Sequence, residues 1–259
     1  MKKYLKVWWI FVVNSFQSQL VVRWAAAMFL IGKILRFGIF LFFIMVLVDK
    51  TSALAGYNLT ETILFYLTFN FIDTASQLLF REVYRFRPTI VSGAFDFTLI
   101  KPLNPLFRSL AAGPDLLDLL TLIPITGAII YFIDNLGFGF VGIIVYILLV
   151  LAGLILALSC HILVLSLAVL TTEIDHAVLV YRDITSMGRM PIDIYQEPVR
   201  GFLTFVIPVG IMMSFPVKSL LGLLSPTLTL YAILFTAFFL YLSLKAWDFS
   251  IKEYSSASS

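Results

Sequence analysis

The sequence predicts an all-α integral membrane protein of six transmembrane helices, and three observations predict it. Hydrophobic residues make up 61% of the 259 residues and charged residues 13%, against roughly 25% charged in an average soluble domain; the mean hydropathy is +1.00. Apolar stretches of about 20 residues, the helix length that crosses about 30 Å of hydrocarbon, recur along the chain. Basic residues crowd into alternate connections, as they do when those connections stay in the cytoplasm.

Taken in order, residues 1–22 mix Trp8, Trp9, Phe11 and Phe16 with Asn14, Gln17 and Gln19. Aromatics beside amides suit the headgroup level, so this is read as an interfacial helix; the polar run has no A-x-A cleavage pattern, and the segment is read as retained. Spans follow at about 25–48, 59–80, 116–133, 140–170, 202–223 and 228–247, the fourth long enough to tilt. The first span carries Lys33 and Arg36, roughly 15 to 20 Å along a helix that starts at Arg23. Either the membrane begins near Lys33 or the pair faces protein or water, snorkelling on an obliquely entering helix being the plainer reading.

The loops assign sidedness. Arg81, Arg85, Arg87, Lys101 and Arg108 lie in 81–114, and Arg182, Arg189 and Arg200 in 171–200, whereas the alternate loops hold only Lys50 and Lys218. Both long connections and both termini are therefore expected in the cytoplasm, with residues 1–259 forming a single transmembrane domain.

Soluble chemistry has little to stand on. The net charge of +3 is too mild to suggest nucleic acid, and one cysteine, Cys160, with two histidines leaves no disulfide framework and no metal site. The pair Gly32 and Lys33 is followed by Ile34 and lacks the upstream glycine of a phosphate-binding loop, so the chain is not expected to hydrolyse ATP. Asn70, Asp73 and Gln77 share one face of the second span. That face is either a substrate or proton path or a hydrogen-bond cluster between helices, and the residues leave both open. Asp115 and Asp118 follow Pro114 at the start of the third span, where carboxylates cap a helix N-terminus. Cys160 and His161 are read as filling a helix interface, and the Asn58 to Thr60 sequon as a chance match.

The clearest signal is GAFDFTLIKPLNP at 93–105, a glycine break, a compact amphipathic turn and then helix-stopping prolines. Phe95, Phe97 and Leu99 alternate with smaller residues there, which predicts three apolar side chains awaiting a partner groove. With RMPIDIYQEPVRGFLTFVIPVGIMMSFP at 189–216 and a tail of Trp247 followed by YSSASS, the chain resembles the ABC-2-type permeases, specifically small six-span exporter permeases, over nearly its whole length. The resemblance implies a permease subunit in the plasma membrane that pairs with a second permease, homologous or identical, and with two cytoplasmic ABC ATPase subunits. Those subunits bind ATP and magnesium, no cofactor belongs to this chain, and the exported substrate is hydrophobic or amphipathic. It assigns Phe95, Asp96, Phe97, Leu99, Lys101 and Pro102 to a coupling helix, and Arg189, Pro191, Asp193, Tyr195 and Glu197 to a secondary cytoplasmic contact. Larger relatives carry an external domain or re-entrant helices between spans five and six, where residues 215–226 read only as a short turn. An ion-coupled secondary transporter using Asp73 or Asp115 is the alternative, although no internal repeat supports it; a membrane scaffold would have loops without docking character.

Overall fold

The computed structural model describes residues 2–21, 23–171 and 175–255. Part of the 171–200 loop and the last four residues of the YSSASS tail lie outside the described residues. Every named element among the described residues is helical, apart from one bridge between Leu54 and Tyr57.

Helix α1 (Lys2–Val21) lies against one end of a helix bundle, which we call the basal end; there Ser15 donates to the Pro114 carbonyl at 2.6 Å and Tyr4 sets its ring edge-on to Phe107. Helix α2 (Arg23–Thr51) crosses to the opposite, apical end and buries only Ile44 and Val48. Helix α3 (Leu59–Phe80) returns, starting at Asn58. That side chain accepts from the Glu61 amide while the Glu61 carboxylate accepts from the Asn58 amide, so Asn58 is half of a capping box. Being buried on all sides from Thr62 to Phe69, α3 forms the centre of the bundle.

At the basal end the chain runs through a tight turn at Arg81–Arg85 into α4 (Phe86–Val91), α5 (Asp96–Leu99) and α6 (Pro105–Ala111). Helix α7 (Leu116–Leu136) climbs back, capped by the Asp115 carboxylate on the Leu117 amide and ended by Gly137 at φ 63°, a left-handed turn that favours glycine. Helix α8 (Phe140–Thr171) descends beside α3, burying Tyr146, Leu149, Gly153 and Leu156 at helical spacing. Helix α12 (Pro226–Lys252) descends along α8 to finish at the basal end.

Among the described residues, five helices are long and apolar enough to cross a membrane, and a sixth candidate is a bent pair, Val199–Val206 and Gly210–Leu220, whose halves meet at 82°. Here the structure corrects two expectations. Asp193, placed by sequence in a loop at the basal end, accepts from Lys218 at 2.7 Å and from the Tyr57 hydroxyl at 3.0 Å, and Tyr57 immediately precedes α3 at the apical end. Residues 194–217 therefore leave and return to the apical end. The expected fifth span at 202–223 is a re-entrant hairpin, formed by α10 (Val199–Gly201) with its wide turns to Val206 and by the wide turns Gly210–Ser214 with α11 (Phe215–Leu220). It seats against α8 because Gly153 has no side chain: a Cβ there would lie 2.8 Å from the Met212 carbonyl.

In the expected basal loop 171–200, residues 175–193 instead traverse the bundle from its basal to its apical end, a fifth crossing of the bundle. Helix α9 (Asp175–Ser186) starts with Asp175 paired to Arg87 at the basal end, and its Tyr181 meets His161 edge-on. Arg189 lies over Phe40 and Phe69, halfway along α2 and α3. The Ile192 amide then bonds Ser214, and Asp193 arrives at the apical end. Twelve helical residues contribute about 18 Å and the tighter turns beyond them about 2 Å per residue, which together match about 30 Å of hydrocarbon. Hydropathy misses this crossing because the open side of α9 is interrupted by charge, with Asp175, His176, Arg182 and Asp183 exposed among Leu179 and Val180.

Candidate functional site

Two constellations stand out, one at the basal end and one in the middle of the bundle. The basal one is the turn around α5. Gly93 at φ 70° reverses the chain after α4, and the turn then coils tightly enough that positions three apart share a face. Phe95 and Thr98 face inward, whereas Ala94, Phe97 and Ile100 face outward. This corrects the alternating reading, which grouped Phe95, Phe97 and Leu99: two residues apart on a helical turn are nearly opposite, so Phe95 and Phe97 cannot serve one groove. Phe95 is fully buried, with its ring edge-on to Phe86 at 5.3 Å, Tyr254 at 5.2 Å and Trp247 at 6.4 Å. Asp96 accepts from the Tyr254 hydroxyl at 2.9 Å, and Leu99 is half-buried against the same cluster. Phe97 is 64% exposed and Ile100 78%, with Val91 also open beside them. Lys101 and Pro102 are exposed on the following turn, where the Pro102 carbonyl accepts from Lys3 at 2.7 Å. The result is a rigid apolar knob fastened to the last turn of α12.

The inner constellation is a charged seam between α2, α3, α7 and the fifth crossing. Asp73 accepts from the Gln77 amide at 2.8 Å, the Gln77 oxygen accepts from Arg81 at 3.1 Å, and Arg81 lies 3.5 Å from Asp115, which also accepts from Gln19. Asn70 turns away to donate to the Tyr66 carbonyl at 2.7 Å. Asp73 and Gln77 thus share the face the sequence predicts. Lys33 pairs with the fully buried Asp118, so Lys33 faces protein rather than snorkelling, and Asp118 serves as its counter-ion rather than only a helix-start charge. Arg36 stays exposed on α2, and Arg189 is half-buried with its guanidinium 5.7 Å from the Phe40 ring and 5.8 Å from Phe69.

The residues expected as a secondary cytoplasmic contact do not gather. Arg189 belongs to the inner seam and Pro191 is buried below the apical end. Asp193 clamps Lys218 and Tyr57; burial and then the Asp193 carboxylate hold the Tyr57 phenol above its ordinary range, so Tyr57 remains a donor. Tyr195 donates to the Met187 carbonyl at 3.0 Å, and Glu197 is exposed, bonded to Arg200 and to the Gly201 amide. The Arg200 bond first, and that amide second, hold the Glu197 carboxyl below its usual range. His161 behaves as an interface residue: with its Nδ1–H donated to the Ala157 carbonyl at 2.7 Å, Nε2 accepts from Tyr84 at 3.2 Å.

Sequence reading missed Ile100, Trp247 and Tyr254 at the knob. The exposed triplet at 94, 97 and 100 was legible as a period of three; Trp247 and the tail that begins at Tyr254 carried the resemblance, but about 150 positions away nothing local tied them to this turn.

In comparisons with known proteins, the family model described as "ABC-2 family transporter protein" matches residues 34–258. No curated protein and no solved structure matches the chain significantly.

Proposed function

The chain belongs to the ABC-2 family transporter proteins, multi-pass membrane components of ABC transporters, and from that premise we propose that it is the permease subunit of an exporter driven by separate ATPase subunits. The knob carries this reading. Apolar side chains as open as Phe97 and Ile100 at the end of a membrane bundle call for a protein partner or the lipid interface. The seating of Phe95 makes the turn stiff enough to transmit a push. A partner gripping Phe97 and Ile100 would move Phe95 with them, and Phe95 in turn bears on Trp247 of α12 and Tyr254 just beyond it. Helix α12 packs along α8, so motion at the knob is carried into the bundle.

The basal end is read as cytoplasmic because it holds Arg81, Arg85, Arg87, Lys101 and Arg108 together with the lysines of α1. Both chain ends then face the cytoplasm, and the re-entrant hairpin opens to the outside. A second permease copy or homologue would complete the pathway, covering the open face of α2 and the charged side of α9, which lipid would not solvate.

The test is reconstitution with the ATPase expressed beside it. Hydrolysis should appear only when the ATPase is present, and cysteines at Phe97 and Ile100 should cross-link to it. Labelling of those cysteines by lipid-soluble probes alone, with no cross-link to a co-expressed ATPase, would refute the assignment.

A further inference from the structure

Resting on the transporter reading, we propose that Arg36 and Arg189 form a binding site for the anionic headgroup, phosphate or carboxylate, of a translocated amphiphile. Arg36 lies about 20 Å along α2 from Arg23, and Arg189 sits at the same level, between Phe40 and Phe69. Both are at mid-depth, where an uncompensated cation is unfavourable and normally faces protein, water or a ligand.

The neighbouring charges are already engaged. Lys33 is held by Asp118 and Arg81 by Asp115. Asp73, bonded to Gln77, is a further carboxylate acting at this level, within electrostatic reach of Arg36, Lys33 and Arg189 together. Arg182 lies within reach of Arg189 from the preceding turns. Among the described residues, neither Arg36 nor Arg189 has a carboxylate within ion-pair distance.

Two guanidiniums on facing elements match a phosphate or carboxylate, which accepts paired N–H donors. The surroundings suit an apolar tail. Phe40 stacks on Tyr66 at 5.0 Å and is followed one turn on by Phe43, while Ile39 and Phe43 continue the Arg36 stripe along the open side of α2. A headgroup at the arginines would leave its chain against that stripe.

The test uses the full chain purified in neutral detergent, alone and with its ATPase. Dodecyl phosphate should raise the thermal transition of the permease and stimulate hydrolysis by the complex, whereas dodecyltrimethylammonium should do neither. Arg36→Gln and Arg189→Gln should each weaken the dodecyl phosphate effect by about tenfold to a hundredfold, the loss of one charge-assisted contact; Arg36→Lys and Arg189→Lys, which keep the charge but not the paired donors, should fall between the parent and the glutamine variants and report on folding. Equal shifts with the cationic amphiphile, a full effect from inorganic phosphate alone, or undiminished binding in both glutamine variants would overturn the proposal. So would binding without stimulation in an otherwise active complex, which would mark a resident lipid rather than cargo. Loss of subunit pairing in Arg36→Gln with anion binding intact would make the arginines interface counter-charges, and the site would again be refuted. Binding by the permease alone while no ATPase assembles with it would instead count against the transporter reading and leave the site standing.

Discussion

Replacing Phe95 and replacing Phe97 should have opposite consequences although the two lie two residues apart. Phe95 is fully buried among Phe86, Trp247 and Tyr254, and truncating such a ring to alanine costs about 3–5 kcal/mol through lost transfer energy and the cavity left behind. Phe95→Ala should therefore lower the thermal transition of the isolated permease and loosen the end of α12. Phe97 and Ile100 are 64% and 78% exposed, so their removal leaves the free chain nearly unchanged. A fully buried side chain of this size is worth about 1.5–3 kcal/mol, and covering the exposed fraction of both would give about 2–4 kcal/mol, or about thirtyfold or more in affinity for the partner. The assay is paired: thermal unfolding of each variant alone, and titration of the detergent-solubilised variant with the ATPase. The reasoning fails if Phe97→Ala with Ile100→Ala binds the ATPase like the parent chain, or if Phe95→Ala is as stable as the parent and impaired only in docking.

Three further outcomes follow from the geometry. Single cysteines at Ala53, Glu197 and Gly222 should react with an impermeant thiol reagent from one side of the membrane and cysteines at Ser92 and Ser255 from the other; Glu197 labelling with Ser92 would restore 171–200 as a basal loop. Gly153→Ala should destabilise the bundle by about 1–3 kcal/mol, because its Cβ would press on the Met212 carbonyl and the Ile72 side chain, and a thermal transition equal to the parent's would contradict the seating of the hairpin. Lys218→Met should cost about 1–3 kcal/mol by leaving the partly buried Asp193 with Tyr57 alone, and the double change with Asp193→Asn should recover part of it; additive losses in that cycle would mean the two do not interact.

The five apolar helices were legible because lipid imposes its demand residue by residue, and the Asp115 cap was legible because its donor is two residues away. The α5 turn was misread for want of a period: Phe95, Phe97 and Leu99 look like alternation unless Gly93 is seen to open a helical turn, and what decides which ring is inward is Trp247 and Tyr254, invisible at that distance in sequence. The fifth crossing escaped for a different reason. A helix facing lipid must be apolar all round its open side, whereas α9 carries Arg182 and Asp183 outward beside Leu179 and Val180, and turns Ala177, Val178, Tyr181, Ile184 and Thr185 toward the core. Its neighbour at 202–223 reads as a span because it is apolar, yet its second half is apolar for being packed against α8, with Ile211, Met212 and Met213 buried, while Phe202, Phe205 and Val206 stay exposed. Hydropathy measures what a segment touches, and it confuses lipid with protein interior. The same confusion points to where function lies: a crossing too polar for lipid on one side needs water, a partner or a ligand there, and the chain has put Arg182 and Arg189 on that element, opposite Arg36 and Asp73.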